Sequence, residues 1–310
     1  MTATRTVVFA YSEVGARCLK TLLAAGWQLA LVVTHADSPH ETQWFQSVRD
    51  VALAAKVPVI TDDSLSTAEL EARVRAVAPR FIFSFYFRRM LSSAMLEAAS
   101  RGAFNMHGSL LPKYRGRAPI NWAILHGETQ TGASLHRMTV KPDAGELMDQ
   151  QAVPIGADDT ALEVTERVAA AAIDVLSRSL PKLLDGSLKG RVMDLASGSY
   201  YSGRRPEDGE FFPHWPAKRI HDLVRAVAPP FPGAFVRLPT GVLKVFRTER
   251  LAISRPDAPV SLSRVQDTVQ WTAYDGACLR IVSAEWAQTP LTAENFESLL
   301  HTDRVTFDAV

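Results

Sequence analysis

The residues with the most chemical promise lie in one run, Phe104-Asn105-Met106-His107-Gly108-Ser109-Leu110-Leu111-Pro112-Lys113-Tyr114-Arg115-Gly116-Arg117-Ala118-Pro119. Asn105 and His107 are two apart at the end of a strand-like stretch, so their side chains project to one face. An amide donor beside an imidazole suits acyl transfer. The amide steadies a developing oxyanion, and the imidazole moves a proton. The same pair also fits a turn with an internally satisfied Asn and His. Gly108, Pro112, Gly116 and Pro119 then shape a long loop that carries Lys113, Arg115 and Arg117. A second run, His136-Arg137-Met138-Thr139-Val140-Lys141-Pro142-Asp143-Ala144-Gly145, sets Asp143 in a turn. An Asp there commonly bonds its own backbone. The alternative is a carboxylate that pairs with His107 and keeps it charged.

The elements that must position these groups alternate along the first half. The pattern predicts strands over 6–11, 28–34, 57–60, 80–85 and 102–107, with helices over 14–25, 44–56, 67–77 and 90–100. That rhythm implies an α/β fold with a Rossmann-like, doubly wound parallel sheet and right-handed crossovers. Ligands of such sheets bind beyond the carboxyl ends of the strands, where 105–119 begins. A long helix is expected over 161–184, and a Gly/Ser/Tyr-rich linker over 197–203. Short strand-like runs at 234–238, 242–248, 268–272 and 277–282 then imply a smaller β-barrel, OB-like C-terminal domain. The expected domains are 1–196 and 204–310. Tyr11-Ser12-Glu13-Val14-Gly15 after the first strand is no dinucleotide fingerprint, and neither a Walker loop nor a G-x-S-x-G elbow is present.

With 47% hydrophobic and 22% charged residues in 310, the chain has material for a sizeable core. A formal charge of +1 gives no support for long nucleic acid, which draws its binders by phosphate neutralisation. Cys18 and Cys278 form no CxxC pair, and the eight histidines show no ligand spacing, so neither a disulfide framework nor a metal site is expected. No secretory leader and no run of roughly 18 to 20 apolar residues is seen, which leads to the expectation of a cytoplasmic protein.

Asn105-x-His107, the Ser-Leu-Leu-Pro-Lys-Tyr-Arg-Gly-Arg-Ala-Pro loop and the Asp143-Ala-Gly turn together resemble the folate-dependent formyltransferase family. Further shared motifs are Ser84-Phe85-Tyr86, Asn121-Trp122, His136-Arg137-Met138, Gly203-Arg204-Arg205 and Val224-Arg225-Ala226-Val227-Ala228. Phe231-Pro232-Gly233-Ala234-Phe235 matches a family run that has Trp in place of the first Phe. These motifs span essentially the whole chain. They are most similar to the branch that formylates UDP-4-amino-4-deoxy-L-arabinose for lipid A modification and polymyxin resistance. The resemblance implies Asn105, His107 and Asp143 as catalytic residues and N10-formyltetrahydrofolate as cosubstrate. It implies Arg89, Met90, Leu91, Arg117, Thr139, Val140, Lys141 and Pro142 as folate contacts.

The acceptor is then the open choice. A nucleotide sugar needs cations for its diphosphate, for which Lys113, Arg115, Arg204 and Arg205 are candidates. Its base needs a slot, for which Tyr114, Trp122 and Trp215 are candidates. Methionyl-tRNA is the alternative amine, and a formyltetrahydrofolate hydrolase with water as acceptor, or a non-catalytic folate-binding protein, is the alternative of another class. The tRNA enzymes of the family carry a long basic insertion after the second strand. Here 34–45 is short, with no Lys or Arg and two acids, Asp37 and Glu41, so a small nucleotide sugar is the expected partner and nucleic acid is not.

Overall fold

Strands without polar alternation should be buried on both faces, and two of them are. β1 (Thr6–Ala10) and β4 (Phe81–Phe85) are buried at every position and pair in parallel. The computed structural model describes residues 4–36, 43–238 and 240–307. Residues 37–42 of the acidic stretch lie outside them. In chain order β1 leads to α1 (Ser12–Ala24), β2 (Leu29–Thr34), α2 (Val48–Ala54), β3 (Val59–Thr61), α3 (Thr67–Val77), β4 and α4 (Ser93–Glu97). Then come β5 (Gly102–His107), β6 (Arg115–Gly116), α5 (Pro119–Leu125), β7 (Gln130–Arg137), β8 (Leu147–Pro154), α6 (Ala161–Asp185) and β9 (Tyr200–Tyr201). Two helices are shorter than expected because serine caps start them late. Ser47 Oγ accepts from Asp50 N (3.3 Å) ahead of α2, and Ser92 Oγ accepts from Met95 N (3.3 Å) ahead of α4.

The chain forms two compact units, Met1–Pro119, Gln130–Pro154 and Thr165–Ser202 in the first, and Ile120–Thr129, Ile155–Val164 and Gly203–Val310 in the second. The expected single cut is therefore replaced by interleaved segments. In the first unit the sheet runs β3-β2-β1-β4-β5-β7-β8. The first five strands are parallel, and their order reverses between β1 and β4. The expected parallel sheet is formed by these five, and β7 and β8, which the sequence pattern does not pick out, extend it antiparallel. The helix between β5 and β7, α5, belongs to the second unit from Ile120 on, so it is not a crossover helix of this sheet. The core is aromatic: Phe81 stacks on Phe83 and Phe83 on Phe85, and Phe83 meets Phe104 at 5.9 Å. The stretch expected as a linker is built into this unit, because β9 pairs with β6.

The second unit holds α7 (Ala217–Ala226), β10 (Ala234–Leu238), β11 (Gly241–Ser254), β12 (Ser261–Val265), β13 (Thr268–Thr272), β14 (Ala277–Trp286), β15 (Thr289–Pro290), α8 (Phe296–Leu300) and β16 (Arg304–Thr306). Its sheet runs β10-β11-β14-β13-β12-β16, with β15 on β14. Register shifts between β11 and β14 add twist, and the result is a curled antiparallel half-barrel, in keeping with the barrel-like domain expected. Phe211, Trp271 and Phe296 fill its core. α5 is part of this unit: Asn121 Nδ2 donates to Ala226 O (2.6 Å) and Leu125 packs on the same core.

Candidate active site

Strand pairing sets the first half of the site. β5 and β7 pair with Asn105 opposite His136 and His107 opposite Ser134. Residues directly opposite share a face, and so do residues two apart, so all four side chains lie on one face of the sheet. The loop between β7 and β8 folds over that face and brings in Asp143, whose φ of 46° is left-handed. Asp143 Oδ1 is 3.2 Å from His136 Nε2, 3.4 Å from Asn105 Nδ2 and 3.7 Å from His107 Nδ1. Its Oδ2 accepts from Gly116 N at 2.8 Å. Gly116 has to be glycine here: its φ is +97°, and a Cβ would run into the Tyr201 carbonyl.

The hydrogen bonds assign the ring nitrogens. A carbonyl only accepts, so His107 Nε2–H donates to Tyr114 O (2.8 Å) and Nδ1 is the nitrogen that faces Asp143. His136 Nδ1–H likewise donates to Arg137 O (3.0 Å). His136 Nε2 then accepts from Asn105 Nδ2 (3.0 Å) in the neutral ring and donates to Asp143 when the ring takes a second proton. Burial alone would raise the Asp143 carboxyl. The His107 charge, the His136 hydrogen bond and charge, and the Gly116 N–H together outweigh it and hold the group well below the usual carboxylate range. The arrangement thus offers a fixed carboxylate, an amide donor and two imidazoles, all but the amide largely buried. A proton can pass among them while charge builds on a bound oxygen.

The loop after His107 is held from both sides. Ser134 Oγ donates to Ser109 O (2.6 Å) and accepts from Leu111 N (3.2 Å) and Gln150 Nε2 (2.8 Å). Ser199 Oγ accepts from Tyr114 N (2.9 Å), and Tyr114 stacks on Tyr201 (5.5 Å).

Asn105 and His107, singled out by spacing, and Asp143, singled out by its turn together with the family motifs, come together. His136, part of the His136-Arg137-Met138 motif, joins them although the sequence pattern gives it no role of its own. Its signal was the period of two along β7, readable only once the register to β5 is known. Of the expected folate contacts, Met90 and Val140 are exposed apolar side chains, at 56% and 67%. Leu91 is in the core, so its backbone alone is available. Arg89 Nη1 donates to buried Asp62 (2.6 Å), and Arg117 Nη2 to Arg88 O (2.8 Å). Thr139 Oγ1 donates to Lys141 O (2.9 Å), and Pro142 leads into Asp143. Among the expected substrate cations, Lys113 is exposed, whereas Arg115 is buried, 9% exposed, and its Nε has no hydrogen-bond partner among the described residues. Tyr114 is buried too. Arg204 and Arg205 belong to the second unit, where the Arg204 guanidinium lies over Trp122 (5.0 Å) and Arg205 N donates to Asp208 (2.7 Å). Trp215 there carries Arg219 over its ring (3.5 Å).

A cavity of about 340 Å³ lies at the amino end of β5, lined by Glu97, Arg101, Arg137 and Met138 among others, and includes none of the constellation. Its arginines are engaged, Arg101 with Leu183 O and Arg137 with Glu146. The polar groups converge on Asp143 and not on this cavity. Among the described residues no group of three or more His, Cys, Asp or Glu is arranged to hold a metal ion, and no helix is long and apolar enough to cross a membrane.

Comparison with known proteins agrees with the two-part fold. The formyl transferase family matches residues 4–180, and its C-terminal domain matches residues 205–297. Among solved structures, the chain is similar to the N-formyltransferase from Helicobacter canadensis in complex with folinic acid and dTDP-3-aminofucose, at 18% identity and TM-score 0.70, over 90% of this chain and 98% of that one. It is similar to a sugar N-formyltransferase from Shewanella, at 18% and 0.61, over 78% and 96%. HypX from Aquifex aeolicus in complex with tetrahydrofolic acid matches at 14% and 0.62, over 95% of this chain and 47% of its own. At such identities these likenesses show the fold. The family match takes in more than half of the chain, and the chain belongs to the formyl transferase family.

Proposed function

We propose that this protein transfers the formyl group of N10-formyltetrahydrofolate to the amine of a nucleotide-linked amino sugar. The observation that carries the reading is the gathering of Asn105, His107 and His136 on one carboxylate oxygen of Asp143. The acceptor amine attacks the formyl carbon, so its C–N bond forms as the bond to N10 breaks. Asn105 Nδ2–H and His107 Nδ1–H donate to the formyl oxygen while it carries negative charge. Asp143 takes the proton that the amine loses, and His107 gives one to the departing N10. Asp143 then returns its proton to His107 Nδ1, which leaves the site as it began. Arg89, Met90 and the Leu91 backbone, with Arg117 and the 139–142 loop, form the donor contacts, Met90 and Val140 serving as apolar walls.

The nucleotide part of the reading is supported by Arg115. A buried guanidinium whose Nε has no partner suits an anionic ligand such as a diphosphate. Lys113 adds a second cation on the same loop. The finer proposal, UDP-4-amino-4-deoxy-L-arabinose as acceptor, rests on the sequence motifs. The Helicobacter canadensis protein was solved with a thymidine sugar, so the base has to be tested directly.

The test is an acceptor screen. Purified protein and N10-formyltetrahydrofolate are mixed with the UDP sugar, with dTDP-amino sugars or with methionyl-tRNA, and mass spectrometry reads the acceptor. Formylation of the UDP sugar is expected. Formylation of a dTDP sugar alone would keep the class and overturn the base. Formylation of tRNA alone, or folate release with no acceptor modified, would overturn the reading.

A further inference from the structure

The turn after β4, which carries Arg88 to Leu91, is tied down by residues from two other strand ends. His35 follows β2 and reaches past the end of β1, its edge against Tyr11 (5.4 Å), to the far side. Its ring stacks on Phe87 at 4.2 Å and 15°. Arg88 N donates to His35 Nε2 at 3.0 Å. An amide N–H can only donate, so Nε2 is unprotonated and the ring proton sits on Nδ1, 3.4 Å from Asp63 Oδ1. Asp62 follows β3, is fully buried, and accepts from Arg89 Nη1 at 2.6 Å, while Arg89 Nη2 donates to Thr67 Oγ1 at 3.1 Å. Arg88 O accepts from Arg117 (2.8 Å). The turn opens with Tyr86 at φ 57°, a left-handed conformation that an aromatic residue holds only when its surroundings impose it.

We propose that His35 is a positioning residue for the formyl donor: its Nε2 lone pair fixes the Arg88 amide and, with Asp62 on Arg89, holds the Arg88–Leu91 turn in its donor-binding form. This rests on the reading that puts the folate against that turn. His35 touches no reacting atom in this scheme. It acts only while neutral, because a second proton at Nε2 removes the acceptor from the Arg88 N–H. The groups that face the ring are Asp63 and Asp62 from the end of β3 and Arg88 from the end of β4. Burial, with the Arg88 charge, pushes the ring below its ordinary value, and the two aspartates oppose this.

The test measures binding of 5-formyltetrahydrofolate, a stable donor analogue, to wild type, His35→Gln, His35→Phe and Arg89→Ala. Gln keeps an acceptor near the Nε2 position and does not titrate; Phe keeps the stack and has no acceptor. Weakening of roughly tenfold is expected for His35→Phe, the scale of taking the acceptor from one part-buried amide donor. His35→Gln should stay within about threefold of wild type. In turnover, His35→Phe should raise the donor KM and leave kcat little changed. Wild-type affinity should also fall as the pH drops through the ring's lowered value, which lies below the ordinary 6.5, while His35→Gln stays flat. Full affinity in His35→Phe would overturn the proposal, and loss in Arg89→Ala would show that the donor site itself stands. Equal weakening in Gln and Phe would assign the effect to other features of the ring and overturn the amide claim. If the Phe variant does not fold, parallel pH profiles for wild type and His35→Gln would overturn it. Wild type that binds no folate would remove the donor reading and this proposal together.

Discussion

Each unit buries an aspartate beside a histidine, yet the two clusters are built to opposite ends. In the second unit Asp222 is saturated: Arg225 donates to its Oδ1 through Nε (2.9 Å) and Nη2 (2.8 Å), and Lys218 Nζ lies 2.6 Å from Oδ2. Arg225 Nη1 reaches the carbonyls of Gly156 and Asp159 (3.3 and 3.2 Å). His221 is used at both nitrogens, by Thr248 Oγ1 (2.8 Å) and Ala157 O (3.1 Å). In the first unit Asp143 meets no Arg or Lys among the described residues. Its Oδ1 meets three side chains at 3.2 to 3.7 Å, distances at which a bound molecule can enter the exchange. Full pairing holds a segment in place, here 155–164 against α7. Loose convergence on one carboxylate leaves capacity for chemistry.

The largest effect should come from breaking the saturated cluster. Asp222→Ala leaves the Arg225 guanidinium buried without its counter-ion. It should cost about 3–5 kcal/mol of stability, the range for removing one partner of a buried ion pair. Denaturant unfolding checks this, and a shift under about 1 kcal/mol would mean the pair is better solvated than its burial suggests. Next is His107→Ala, which should lower turnover on the order of 10²-fold, about 2.7 kcal/mol in barrier, with little change in unfolding midpoint. Asn105→Ala and Asp143→Ala should follow it. Near wild-type rates for His107→Ala would place the chemistry elsewhere. The comparison itself breaks if the two variants trade effects, with Asp222→Ala inactive but stable and His107→Ala active but unfolded.

His136→Ala sharpens it further. This ring decides whether Asn105 donates to an imidazole or the imidazole donates to Asp143. Its removal should slow turnover about tenfold, the effect of losing an orienting hydrogen bond and not a reacting group. An unchanged rate would reduce His136 to packing. Its case also shows how far sequence carries. Asn105 and His107 were legible from their spacing at a strand end, and Asp143 from its turn together with the family motifs. His136 lies 31 residues from Asn105, and only the β5–β7 register joins them. β7 reads Gln-Thr-Gly-Ala-Ser-Leu-His-Arg, in which buried Thr131, Ser134 and His136 hide the apolar signal of a two-sided strand. Asp222 was missed for the same reason. α7 buries charge on its inner face, and the satisfying carbonyls of Gly156 and Asp159 lie more than sixty residues away, which no local pattern reports.

The smallest effect is in pH, and it separates the clusters by window. His221 is held below its ordinary value, by burial first and the Arg225 charge next, against the Ala157 carbonyl and two aspartates. Between that lowered value and 6.5 the unfolded chain holds a proton that the folded chain does not, so stability rises with pH there. This contribution is full above 6.5 and is lost as the pH falls through the folded value. Asp143 has the same sign in a lower window: its contribution is full above 3.8 and is lost as the pH falls through its own lowered value. Thermal unfolding from pH 8 to pH 5 should therefore lower the midpoint of wild type and lower that of His221→Gln less. His35 has the same sign, so the slope in the variant is reduced and not abolished. Superimposable slopes would mean that His221 takes up its proton without leaving Thr248 and Ala157. The second unit would then tolerate charge where the argument from saturation says it does not.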